Sequence, residues 1–93
     1  MTDPEQIARS LSKAQRILVL ASEPDDVTGK EGCGAYIAGS LYRTAKALKN
    51  MGIGDYTHGS PFDDMYWNNR TGLAVRAELE KMDDQSLGHS HQV

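Results

Sequence analysis

The side chains best suited to bind a charged ligand are basic and lie between positions 34 and 52. Arg43, Lys46 and Lys49 follow one another at intervals of three, and the segment contains no aspartate or glutamate. Guanidinium and ammonium groups donate hydrogen bonds to phosphate oxygens and to guanine edges. The pattern is therefore compatible with contact with a nucleic acid. An ordinary solvated helix surface is the alternative, and it is the more common role of a basic helix face.

A single helix would place these bases on one side. Residues 34–52 are predicted to form that helix, because apolar side chains recur along it at helical spacing. These side chains are Ile37, Leu41, Ala45 and Leu48. Gly52 follows as a residue that readily takes the left-handed conformation ending many helices. A helix that is buried on one side and basic on the other fits the major groove of DNA.

The composition is that of one small soluble domain. The chain has 93 residues, of which 39% are hydrophobic and 25% charged, which is ordinary for a globular protein. The longest apolar run, Ile17–Ala21, is far shorter than the roughly 20 residues of a membrane span. The N-terminus lacks the pattern of a secretory signal. A single cysteine, Cys33, excludes an internal disulfide, so we expect a cytoplasmic protein without membrane contact.

The net charge limits how this chain meets a polyanion. The formal charge is −3, and residues 53–69 hold three aspartates and no lysine or arginine. A field of this sign does not attract DNA over long distances. Any nucleic-acid contact must therefore be local.

The N-terminal third contains two helix-start signals. Asp3 followed by Pro4 is typical of a helix N-terminus, and Ser12 with Gln15 has the spacing of a capping box. We expect either one long helix or a short one followed by another from about Ser12. The stretch 17–20 is apolar on every side, which predicts burial in more than one direction. Pro24 ends the helix, and the glycines between positions 29 and 34 are interpreted as turn residues.

The C-terminal half predicts a hairpin and a closing helix. Residues 53–57 and 65–68 have strand composition, and the link between them is rich in turn formers. Asn69 or Thr71 can cap a helix whose apolar face includes Val75 and Leu79. Residues 83–93 show no periodicity, and we expect a disordered tail there.

The histidines and the cysteine do not indicate a metal site or a catalytic site. His58, His89 and His91 lack a fixed third partner for a metal ion. Cys33 lies near Lys30 but has no histidine at an identifiable spacing, so a nucleophile is not indicated. We therefore expect no enzyme, no metal and no cofactor.

Two segments resemble a known family. SLSKAQRILVLAS is similar to the first core helix of small prophage-type winged helix-turn-helix proteins, and NRTGLAVRAELEKM is similar to their closing segment. The resemblance implies an α+β, mainly helical winged helix-turn-helix domain over residues 1–82, with three or four helices and a two-stranded β-hairpin. It also implies a sequence-specific transcription regulator of the kind that phages encode, which binds double-stranded DNA through its third helix. The residues placed there are Tyr36, Ser40, Arg43, Lys46, Lys49 and Asn50.

The hairpin supports an alternative function. Its acidic and aromatic character differs from the basic wings that touch DNA, and it suits contact with a basic nucleic-acid-binding host protein. The chain would then be a phage-type interaction module or inhibitor, for example one like the anti-CRISPR proteins. The candidate contact residues are Tyr56, Phe62, Asp63, Asp64, Tyr66 and Trp67. DNA binding, by contrast, needs more phosphate contacts than one protomer offers, which predicts a homodimer.

Overall fold

The computed structural model describes residues 3–29 and 32–91, the segment 83–91 by its backbone alone. The described residues form an α+β fold that is about half helical, with four helices and one small antiparallel sheet. The helices are α1 (Pro4–Ser10), α2 (Lys13–Ala21), α3 (Leu41–Asn50) and α4 (Arg70–His91). The strands are β1 (Ala35–Tyr36), β2 (Gly54–Tyr56) and β3 (Met65–Asn68).

Both N-terminal start signals are used, and they separate two helices. The Asp3 carboxylate accepts a hydrogen bond from the Glu5 amide, and Pro4 occupies the first turn of α1. Ser12 and Gln15 form the reciprocal capping box that starts α2. The two-helix alternative is therefore confirmed. Burial on several sides of residues 17–20 is only partly found, since Ile17 is 57% exposed.

The predicted helix over residues 34–52 is wrong in its first third. Residues 35 and 36 form β1, and α3 starts at Leu41. Gly39 has φ +58° and therefore leaves the helical region before α3 begins. The C-terminal end is as expected, because Gly52 has φ +79° and its amide donates to the Lys49 carbonyl.

The hairpin is confirmed, and β1 extends it to three strands. β2 pairs with β3 in antiparallel register, with Asp55 opposite Trp67. β1 pairs with the other edge of β3, so that Ala35 lies opposite Tyr66 and Tyr36 opposite Met65. The strand order is β1-β3-β2. Two residues are too short to give a periodic strand signal, which is why the sequence did not indicate β1.

The core lies between the helices and one face of this sheet. It comprises Ile7, Ala8, Leu11, Leu18, Val19, Ala35, Ile37, Ala45, Leu48, Ile53, Tyr66, Val75 and Leu79. The β2 strand passes close to the Tyr66 ring at Gly54, where an added Cβ would lie 2.3 Å from the phenol oxygen. A glycine is therefore required where β2 crosses this ring.

A buried polar network joins α2 to the sheet. The Asn68 amide nitrogen Nδ2 donates to the carbonyls of Val19 and Ser22, both at 2.8 Å. The Asn68 Oδ1 accepts from the Tyr66 hydroxyl at 2.7 Å, and the Ser22 hydroxyl oxygen accepts from the Asn68 backbone amide. Asn68 and Ser22 are fully buried. The network satisfies carbonyls at the end of α2 that would otherwise be unpaired.

The closing helix α4 is fixed at its start and middle. Asn69 provides the cap, accepting from the Gly72 amide at 3.0 Å, while Val75 and Leu79 are buried as predicted. Arg76 donates to the Leu20 carbonyl at 3.2 Å and so ties α4 to the end of α2. The α4 backbone continues to His91. The side chains of 83–93 lie outside the described residues, and the tail expected there stays a prediction.

Candidate functional site

α3 presents the predicted bases to solvent. Its inner side is anchored by Ala45 and Leu48, both fully buried. Four of the predicted contact residues occur on its outer side and are exposed: Arg43, Lys46, Lys49 and Asn50. The helix therefore supports a basic surface on a fixed base.

The other two predicted contact residues lie outside the helix. Ser40 precedes α3 as its N-cap, is exposed, and makes no capping hydrogen bond through its side chain. Tyr36 lies on β1 and is 69% exposed. The prediction that Tyr36 lies on α3 is therefore wrong, because the left-handed conformation of Gly39 separates β1 from the helix.

A cleft separates α3 from the β2–β3 hairpin. Its volume is about 370 Å³. We call it the α3 cleft; its lining residues are Tyr42, Arg43, Lys46, Tyr56 and His58. Among the described residues, neither Arg43 nor Lys46 has a carboxylate within ion-pair distance. The cleft therefore offers two cations that are available to an anion.

Two side-chain contacts join α3 to the hairpin at or beside the α3 cleft. The rings of Tyr42 and His58 meet edge to face, with centroids 4.7 Å apart. The Lys49 ammonium lies 3.3 Å from an Asp55 oxygen and 5.7 Å from the centroid of the Tyr56 ring. Lys49 is thereby partly neutralised, unlike Arg43 and Lys46. The Asp55 carboxyl has a lowered pKa because it accepts from the Tyr56 amide and contacts Lys49.

Asp64 organises the hairpin loop beneath the cleft. Its carboxylate accepts from the Tyr42 hydroxyl and from the amides of Gly59 and Ser60, at 3.3 and 3.1 Å. These donors stabilise the ionised form, and the Tyr42 hydrogen bond is the largest reason why the Asp64 pKa is lowered. The same bond raises the pKa of the Tyr42 hydroxyl. The side chain of Asp64 is only 10% exposed.

The hairpin residues of the alternative function are divided between core and surface. Tyr66 is fully buried, and burial raises the pKa of its hydroxyl. Phe62 is 85% exposed and Asp63 is exposed beside it, while Tyr56 and Trp67 are half-buried. Only part of the predicted set is therefore accessible.

A second concavity lies on the outer face of the sheet. It has a volume of about 490 Å³, and we call it the sheet groove. Its lining residues are Gly32, Gly34, Thr57, Ser60, Phe62, Asp63, Met65 and Trp67. The apolar members come from β3 and the hairpin loop, and Asp63 is the one charged residue among them.

Sequence reasoning did not assign a site role to Tyr42 or His58. Tyr42 precedes Lys46 by four residues, so the helix places both on neighbouring positions of one face. That spacing is a usable signal. His58 reaches the cleft only through the hairpin fold, and no local pattern indicates it.

Searches for a metal site, a membrane-spanning helix and similar proteins give no functional assignment. Within the part of the chain whose side chains are described, no three histidine, cysteine, aspartate or glutamate residues gather as a metal site requires. His89 and His91 lie outside that part. None of the described helices combines the length and apolarity needed to cross a bilayer. Comparison with known protein families, curated proteins and solved structures gave no match.

Proposed function

We propose that this chain is a winged-helix DNA-binding protein that regulates transcription through α3. The observation that carries the proposal is the outer face of α3, where Arg43 and Lys46 are exposed without a carboxylate partner among the described residues. Asn50, one turn beyond Lys46, adds an amide of the type that pairs with adenine edges. The fully buried side chains of Ala45 and Leu48 hold this face in a fixed orientation.

The element order supports a winged-helix assignment. Helices α1 and α2 precede β1, α3 lies between β1 and the β2–β3 hairpin, and α4 follows the hairpin. The arrangement departs from the helix-turn-helix in one respect. Between α2 and α3, the described residues form turns, an isolated bridge from Pro24 to Gly32, and β1, with no positioning helix. α3 is instead held by its buried side and by its contacts with β2.

The aspartates near α3 differ in how far they are engaged within the protein. A carboxylate near a phosphate opposes binding by about 1 kcal/mol. Asp64 is only 10% exposed and accepts hydrogen bonds from three donors, which keep it ionised. Asp55 lies beside Lys49. Asp63 remains exposed on the hairpin.

DNA retention tests the proposal directly. Fragments from the genomic region around the coding gene are incubated with the full chain at low salt, and retained fragments are sequenced. Arg43→Ala combined with Lys46→Ala is expected to abolish retention. Lys13→Ala combined with Lys81→Ala is the matched control, because it removes two exposed cations far from α3 along the chain. Retention that is absent for the wild type, or unchanged by the α3 variant, contradicts the proposal.

The exposed aromatic of the hairpin favours a second candidate, a protein-interaction module. Phe62 is 85% exposed and lines the sheet groove, next to the exposed side chain of Asp63. An aromatic anchor beside an acidic rim suits a basic nucleic-acid-binding protein as partner. Such a partner would be captured by the wild type, lost with Phe62→Ala, and retained with the α3 double variant. Loss of the partner with the α3 double variant, together with its retention by Phe62→Ala, would contradict this candidate.

A further inference from the structure

The α3 cleft has the charge of an anion site. Arg43 and Lys46 are three residues apart on α3, so both can reach one ligand from the same helix face. His58 faces them from the hairpin as a third nitrogen donor. The Asp64 carboxylate lies 4.0 Å from the His58 ring nitrogen Nδ1, and its oxygens already accept hydrogen bonds from other groups.

The size and lining of the α3 cleft indicate a small ligand. Two phenol rings, those of Tyr42 and Tyr56, contribute to its lining beside the cations. The volume of about 370 Å³ falls within the range of roughly 300–1,000 Å³ that is usual for small-molecule sites.

We propose that the α3 cleft binds a phosphomonoester, with the terminal phosphate between Arg43, Lys46 and His58. A monoester presents three oxygens that are free to accept hydrogen bonds, which matches donors arriving from the helix and from the hairpin. The remainder of the ligand lies against the phenol rings of Tyr42 and Tyr56, so it carries a planar or sugar group. Binding there covers Arg43 and Lys46, and the ligand therefore competes with DNA for α3. The site itself does not depend on DNA binding.

A titration followed by NMR tests this site with defined probes. The amide spectrum of the full chain is recorded with adenosine 5′-monophosphate, adenosine and inorganic phosphate, at constant ionic strength. The monophosphate and inorganic phosphate are expected to shift amides at positions 42–46 and 56–59, and adenosine is expected to leave them unchanged. Equal binding of adenosine, or shifts spread over all surface lysines, overturns the proposal.

Variants separate this site from the DNA surface. His58→Gln is expected to weaken monophosphate binding about tenfold, equivalent to one charge-assisted hydrogen bond, and His58→Arg to restore it. DNA retention by His58→Gln should stay within about twofold of the wild type. Melting temperatures of both variants report that the fold is intact.

A short duplex without terminal phosphates distinguishes the source of the phosphate. The duplex is expected to bind independently of His58. If its affinity falls with His58→Gln as steeply as that of the monophosphate, the site takes a backbone phosphodiester and the assignment to a monoester is overturned. Failure of every phosphate probe alongside normal DNA retention removes the cleft proposal and leaves the DNA proposal standing.

Discussion

At the scale of single residues, the role of an acidic side chain depends on which donors surround it. Asp63 and Asp64 are neighbours in sequence and read alike as surface acids. The fold leaves Asp63 exposed and directs Asp64 toward the Tyr42 hydroxyl and two loop amides. Asp64 thus serves the local structure of the hairpin and links it to α3.

Replacing this carboxylate should give a pH-dependent loss of stability. The folded pKa of Asp64 lies below its ordinary value of 3.8, so the ionised form stabilises the fold above that pH. This contribution is lost as the pH falls through the folded pKa. Asp64→Asn is therefore expected to lower the melting temperature at pH 7, with the difference shrinking below about pH 4. Thermal melts from pH 2 to 7 measure it, with Asp63→Asn as the exposed control.

The buried amide of Asn68 should matter more for stability than any exposed polar residue. Asn68→Ala removes two hydrogen bonds to carbonyls at the end of α2 and leaves the Tyr66 hydroxyl without its acceptor. The expected loss is on the order of 3 kcal/mol. Urea denaturation of the variant measures it against Asn50→Ala, whose side chain is exposed. Similar losses for the two variants would contradict a structural role for the network.

At the scale of elements, local sequence signals predicted helix caps and buried helix faces better than they predicted which elements form and how long each one is. The caps at Asp3 and Ser12, the ending at Gly52 and the buried stripe through Leu48 all depend on neighbours within a few residues. β1 depends on pairing with β3, about thirty residues away in the sequence, and no local pattern encodes it. For the same reason, the sequence could not place His58 in the α3 cleft, since His58 is distant in sequence from Arg43 and Lys46. The cleft exists only after the hairpin has folded against α3.

The end of α3 provides a test of backbone conformation alone. Gly52 has φ +79°, and a Cβ there would meet no atom within 4 Å. Gly52→Ala is therefore expected to cost about 1 kcal/mol through the left-handed conformation and not through a clash. Gly52→Asn should cost less, because asparagine tolerates this region better. Chemical denaturation of the two variants gives the comparison, and equal losses would count against the conformational explanation.

At the scale of the whole molecule, a net charge of −3 makes any DNA affinity depend on the few cations of α3. Counterion release gives a linear fall of log affinity with log salt, of slope about 0.9 for each phosphate neutralised. One protomer contributes three such cations at most, and Lys49 already contacts Asp55. If α3 binds DNA, we therefore expect two protomers on one site.

The salt dependence of binding should report these contacts. Arg43→Ala with Lys46→Ala is expected to lower the steepness of the log–log salt plot by about two for each bound protomer. Lys13→Ala with Lys81→Ala should leave it unchanged. Fluorescence anisotropy on a retained fragment, between 50 and 200 mM salt, measures both, and sedimentation of the complex gives the stoichiometry. Parallel plots for the wild type and the α3 variant would remove α3 as the source of the electrostatic contact.

The loop between α2 and β1 is tied to the body of the protein at its base. The Cys33 amide donates to the Glu23 carbonyl at 2.6 Å, and the Gly32 amide to the Asn68 carbonyl at 3.0 Å. At Gly29, farther out in the loop, an added Cβ would have no neighbour within 4 Å among the described residues. Extending such a loop costs only about 0.6 kcal/mol for each doubling of its length. An epitope or fluorescent peptide grafted beside Gly29 would thus report on the protein in cells while α3 keeps its native surroundings.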